Sequence, residues 1–357
     1  MLLRRKSAKE RIESKLKEPV NTIGGQAVME GVMMRNQDRL AVAVRRPGGT
    51  IHVVSWPWFS LTRAPWLKRP FIRGFPVLVE TLVNGIKALN FSANQALIED
   101  EKGEATDQEI KTWHLVLTLA GSMGLALGLF VVVPHLFSLG MKGLNLGGDV
   151  DGLSFHVWDG FFKLAIFLGY ILAISFIPDI RRVFQYHGAE HKVIWRHEKG
   201  GPVDPADAAC ESRLHPRCGT AFLLFVLSIS IVLHAVLVPL ALLLYSPDSV
   251  VLKHTYIVVA KLLLIIPISA TAYELIRFAG RYGDNLFCKI LNGPGLLLQM
   301  LTTKEPDLAQ LEVAVAALQC ALAEPVPAAG TQAAKALAAS RSVGGIGRPG
   351  ETSLEIL

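Results

Sequence analysis

Two runs in this chain carry no Asp, Glu, Lys or Arg over a length that few soluble folds tolerate. Residues 115–141 run for 27 positions without one, and residues 218–247 for 30. About 20 apolar residues in a helix cross the hydrocarbon core of a bilayer, so both runs suffice. Residues 161–178 and 255–273 have the same character but hold one lysine each, Lys163 and Lys261. Lys163 must snorkel or pair, and Lys261 is read as snorkelling to the outer face. The four runs set spans at 115–141, 161–178, 218–246 and 255–273. Half of the chain is hydrophobic (51%) and only 18% is charged, against roughly a quarter charged in soluble domains. A cytosolic enzyme and a disordered chain are both excluded. Residues 286–301 are apolar too, but Lys289 and Asn292-Gly-Pro-Gly295 interrupt them. They read as an interfacial or re-entrant segment.

The charges fix a topology. Seven Lys or Arg fall within residues 1–19, and no apolar stretch follows them as a signal peptide would require. The loop before the second span holds one basic residue beside Asp149, Asp151 and Asp159, whereas the loop at 179–217 holds Arg181, Arg182, Lys192, Arg196, Lys199, Arg213 and Arg217. By the positive-inside rule both termini and the middle loop are cytoplasmic. This topology accounts for the net charge of +6 without nucleic acid as a partner. The four cysteines then lie on or near the reducing side, where disulfides are not expected.

Outside the spans, residues 20–100 read as a mixed α+β segment. Two alternating runs, 40–44 and 51–54, flank the turn residues Arg46-Pro-Gly-Gly49, which predicts a β-hairpin. Trp56, Trp58, Trp66 and the basic residues among them suit a membrane headgroup layer; an RNA-stacking surface is the competing reading. Residues 77–90 read as a helix. The glycine-rich start, Gly24-Gly-Gln-Ala-Val-Met-Glu-Gly-Val-Met-Met-Arg35, suggests tight turns and close backbone approach, with methionines that pack or act as soft ligands. Residues 308–322 predict a helix, and 324–357, rich in Ala, Gly, Pro and Ser, a disordered tail. That tail contains a formal GxGxxG at 345–350. No strand precedes it, and Pro349 lies inside it, so no nucleotide site is expected. Gly124 and Gly128 in the first span are spaced for helix packing.

The middle loop carries the chemistry. Within it, Tyr186-His187-Gly-Ala-Glu-His-Lys192 places His187 and His191 four residues apart, on one face of a helix. Glu190 borders that face. This is the H-x-x-E-H order, in which two histidines hold zinc and the glutamate is the base. A third ligand is required. His215-Pro-Arg-Cys218 supplies two candidates in the same loop, with Cys210 and Glu274 in reserve. Four ligands would close the site as structural zinc does, and three would leave a position for chemistry. Against both stands a simpler reading, in which Ile180, Val183, Phe184 and Ile194 form an apolar stripe and the histidines are merely buried and hydrogen-bonded. Glu274 would on that view pair with Arg277.

Several of these motifs recur in order in a known family. The segments 24–35, 187–192, 215–220, Tyr273-Glu274, Thr302-Thr-Lys-Glu-Pro-Asp307 and Leu311-Glu-Val-Ala314 resemble the YqhQ-like family of bacterial membrane proteins. The resemblance covers roughly residues 20–320. That family is labelled a predicted metal-dependent enzyme without an established reaction, which implies His187, Glu190, His191, His215 and Cys218 as site residues here. Cys210 falls outside the family pattern.

The expectation is a mainly α membrane protein of the bacterial inner membrane, with about four transmembrane helices and a small cytoplasmic α+β part. Its partners are the lipid bilayer and an unknown protein or substrate. Its function is that of a zinc-dependent hydrolase or peptidase at the cytoplasmic face, or a scaffold or assembly factor ordered by a structural metal. A transporter is the third reading, and the scarcity of charge within the spans argues against it.

Overall fold

The computed structural model describes residues 23–96, 112–216, 218–281, 286–323 and 352–356. The basic stretch at 1–19, Arg217 and the GxGxxG sequence lie outside these residues.

The chain opens with four consecutive antiparallel strands: β1 (Gly24–Val28), β2 (Gly31–Asn36), β3 (Arg39–Arg45) and β4 (Ile51–Pro57). The predicted hairpin is β3 and β4, registered with Val42 opposite Val54. Its turn closes through Gly49, at φ +90°, where the missing Cβ makes that conformation inexpensive. The glycine-rich start is a second hairpin rather than a set of loops, with Gln26 opposite Met33. A fifth strand, β5 (Thr352–Ile356), comes from the tail and pairs antiparallel with β4. At these five residues the expectation of a disordered tail is corrected. The rest of 324–357 lies outside the described residues.

Period-two alternation sorts the sheet's side chains to two cores. Val32, Met34, Ala41, Ala43 and Val53 face one side. Met33, Leu40, Val42, Val44 and Val54 face the other. Both faces are covered, which explains why β3 reads as an unbroken apolar run. On the second face lies α1 (Gly74–Ala96). On the first lie α5 (Pro178–Lys199) and α11 (Leu308–Leu322). Trp56 and Trp58 belong to the second core, at 5% and 3% exposure, with Lys87 and Arg35 over their rings. They are not headgroup aromatics. Trp66 and Phe71, at 60% and 65%, remain exposed.

Four helical stretches are long and apolar enough to cross a membrane: Ala120–Gly143, Leu153–Ile174, Phe222–Leu244 and Val250–Phe278. The first joins α2 (Thr112–Leu127) to α3 (Val133–Gly143) through a π turn at Gly128–Val132. Added Cβ atoms at Gly124 and Gly128 would meet nothing within 4 Å, so these glycines pack against no helix among the described residues. The second stretch is α4 (Leu153–Ile174). The third lies in α7 (Gly219–Leu244), after the short α6 (Pro205–Ala209). The fourth spans α8 (Val250–Leu263) and α9 (Ile265–Arg281). Helix α10 (Leu286–Thr302) contains Pro294 and packs chiefly on α7.

Two sequence expectations about charge are corrected. Lys261 does not snorkel. It is 1% exposed and donates to Asp159 Oδ1 at 2.8 Å. Glu274 pairs with Arg73, at 2.7 and 2.5 Å, rather than with Arg277. That bidentate contact ties the segment before α1 to α9.

Candidate metal centre

Helix α5 is built for a site. Pro178 opens it at the first position, where a missing N–H is harmless. Asp179 lies in its first turn, and Arg196, His197 and Lys199 in its last, each complementing the helix dipole. Its middle is polar, yet every residue from Tyr186 to Ile194 is buried. It is enclosed by β1, β2, α6 and α11. Lys192 holds the α6 segment to it, donating to the carbonyls of Ala209 and Glu211. Across the helix, Gly188 meets the chain at Lys304, where an added Cβ would lie 2.1 Å from the carbonyl oxygen. Lys304 N donates to Phe184 O at 2.8 Å.

His187, His191 and Cys218 converge there, with one ligand atom of each within 4.8 Å of the others. His187 donates from Nδ1 to the Thr302 carbonyl at 2.8 Å, and His191 from Nδ1 to the Arg213 carbonyl at 2.6 Å. Each bond fixes a tautomer and leaves the lone pair on Nε2, the arrangement that orients metal-bound imidazoles. His187 Nε2 lies 3.2 Å from Cys218 Sγ. His191 Nε2 is buried with no hydrogen bond of ordinary length. A thiol has one proton and can satisfy one lone pair, so two converging imidazole acceptors leave one in deficit. A soft cation in place of that proton satisfies all three groups. Burial holds the His191 ring below its ordinary pKa, so it is neutral, the state that ligates.

Glu190 is fully buried on the same helix. Burial pushes its carboxyl up to about 8, and His187 and Cys218 are close enough to act on it electrostatically. Its Oε2 has no hydrogen-bond partner among the described residues. Gly25 makes room for it, since a Cβ there would stand 2.6 Å from Glu190 Oε1. That is the reason for a glycine inside β1.

The remaining candidates lie apart. His215 sits beside the triad and outside it, with its ring 5.7 Å from that of His191 and edge-on to Trp195 at 4.7 Å. Its backbone is gripped on both sides by Gln299, and its Nε2 lies 3.5 Å from Glu198. Cys210 is exposed, and Glu274 is engaged by Arg73. Sequence reasoning missed the carbonyls of Thr302 and Arg213. Every residue has a carbonyl, so no residue type could have marked them. Met33 and Met34 are core residues.

Residues 69–324 match the model of DUF1385, described as a protein of unknown function. A Bacillus subtilis (strain 168) protein described as "Uncharacterized protein YqhQ" is 34% identical over 308 residues, which cover 82% of this chain and 89% of that protein. No solved structure matches.

Proposed function

The chain belongs to the DUF1385 family of proteins of unknown function, and from that footing we propose that it is a zinc-dependent hydrolase or peptidase of the bacterial inner membrane. The observation that carries this is the convergence of two tautomer-fixed imidazoles and one thiol beside a buried carboxyl group whose Oε2 has no hydrogen-bond partner among the described residues. Both termini and the sheet lie on the cytoplasmic side, supported by the basic loop at 179–217 and the acidic loop that precedes the second span.

In this reading His187 Nε2, His191 Nε2 and Cys218 Sγ hold the ion. Thr302 and Arg213 orient the two rings. Three protein ligands leave one position open, as catalytic zinc requires. The ion supplies Lewis acidity. Glu190, held protonatable near neutral pH by its burial, takes and returns a proton at its side chain. His215 is a neighbour that positions Trp195 and the loop.

A second reading is favoured by one observation. The three ligands are between 1% and 8% exposed, which suits a structural zinc that orders the loop of a scaffold or assembly protein.

Metal analysis and one variant separate the readings. The purified full-length protein should carry one zinc per chain, lost in His191→Ala and Cys218→Ala. Glu190→Gln should keep the zinc and fail to complement a deletion strain. Complementation by a zinc-loaded Glu190→Gln protein would leave the scaffold reading. Equal metal in wild type and in both ligand variants would end both.

A further inference from the structure

The helices of spanning length enclose a second polar cluster, built from α4, α7 and α8. Asp159 on α4 accepts from Lys261 of α8 at Oδ1, 2.8 Å, and from Lys163 of α4 at Oδ2, 3.4 Å. Lys163 Nζ also lies 3.2 Å from His234 Nδ1 of α7. All four side chains are at least nine-tenths buried. Depth can be read from the helix rise. Lys163 and His234 each lie ten residues from the helix end opposite the sheet, and Lys261 eleven, or about 15 Å, half the thickness of a bilayer core.

From that cluster imidazoles lead outward. His135 of α3 bonds through Nε2 to His254 Nδ1 of α8 at 2.9 Å. His254 is half-buried and four residues from its helix end. His135 is close enough to Asp159, Lys261 and His156 for their charges to act on its ring. His135 Nδ1 is buried without a hydrogen-bond partner among the described residues, and His234 Nε2 and the His156 nitrogens lack one of ordinary geometry, with the backbones of Lys261 and Val150 nearby. Outside His254 the rim carries Lys142 with Asp149 and Lys253 with Asp151, two ion pairs that sum to zero.

One carboxylate cannot balance two ammonium groups where no counter-ion enters, so the cluster's charge depends on whether a proton is present. A structural ion pair would need one lysine, not two. It would also need no histidines around it.

We propose that this cluster is a proton-binding site inside the membrane, loaded from the face opposite the sheet through His254 and His135. A proton from water at that face adds to His254 Nε2. His254 passes its Nδ1 proton to His135 Nε2, and His135 releases one from Nδ1 toward His156 and the cluster. There it completes a neutral lysine amine, and the charge goes from zero to +1. Only N–H bonds are made and broken, and unloading is the reverse. The site is independent of the zinc reading.

The test is 15N NMR of the full-length protein, labelled on lysine and histidine and held in lipid nanodiscs, across about pH 5 to 9. One buried lysine should pass between amine and ammonium within that range, and the His135 and His234 ring signals should shift with it. In the triple variant Asp159→Asn, Lys163→Met, Lys261→Met this event should be absent. In His254→Gln, a change near the helix end, the same end state should be reached more slowly after a pH jump read by infrared spectroscopy, because a relay sets the rate and not the equilibrium. Overturning results are lysines that stay ammonium throughout in the folded wild type, or an unchanged rate in His254→Gln.

Discussion

Gly188→Ala is expected to unfold the protein at a markedly lower temperature and, under the proposed zinc reading, to weaken metal binding. The added methyl would stand 2.1 Å from the Lys304 carbonyl oxygen, backbone against helix, with no side-chain end to swing away. Helix α5 and the 302–306 segment must part by more than an ångström. That separation breaks the Lys304 N to Phe184 O bond and carries off the Thr302 carbonyl that orients His187. Overpacking of this kind costs roughly 3 kcal/mol. Loss of an orienting partner lowers metal affinity by about 10- to 100-fold. The neighbouring Ala189→Gly, buried on the same helix, removes a methyl and should cost only about 1 kcal/mol, with zinc retained. Melting curves in detergent and a competitive chelator titration read both effects. Unchanged values for Gly188→Ala would contradict the packing described.

Asp159→Asn is the second large effect. It deletes the carboxylate that both Lys163 and Lys261 share and leaves two buried amines without their acceptor of charge. Breaking a buried pair from one side costs about 3–5 kcal/mol, whereas replacing all its members by apolar groups of similar volume is often neutral. The single variant should therefore melt well below wild type. The triple variant with Lys163→Met and Lys261→Met should recover most of the loss. A single variant as stable as wild type would mean that the lysines are not held by Asp159.

The spans are legible in the sequence because their signal is one of length and composition, which needs no partner. The predicted 161–178 and the observed Leu153–Ile174 differ mainly at the start. Its charge alone assigns Asp159 to the preceding loop. With Asp159 outside, Lys261 has no visible partner, and snorkelling is the remaining physical explanation. Pairing across 102 residues leaves no periodic trace. The same limit hides Arg73 from Glu274. In the site, the i,i+4 spacing of His187 and His191 is intrinsic to a helix and is readable. Choosing Cys218 over His215 is not, because the choice is made by Gln299, which pins the His215 backbone and turns its ring onto Trp195. The β1–β2 hairpin escapes a sequence reading because its glycines look like turns. Gly25 is there to admit Glu190, a requirement set by another element.

The central claim is that one ion touches His187, His191 and Cys218 together, and cobalt substitution tests it most directly. Cobalt(II) bound to the full-length protein should show the intense visible bands of a four-coordinate ion and a thiolate charge-transfer band in the near ultraviolet. Cys218→Ser should lose the charge-transfer band, and His191→Ala should lose the visible bands, while His215→Ala keeps both. A cobalt spectrum identical in wild type and Cys218→Ser, or no cobalt bound to the wild type, would contradict the account.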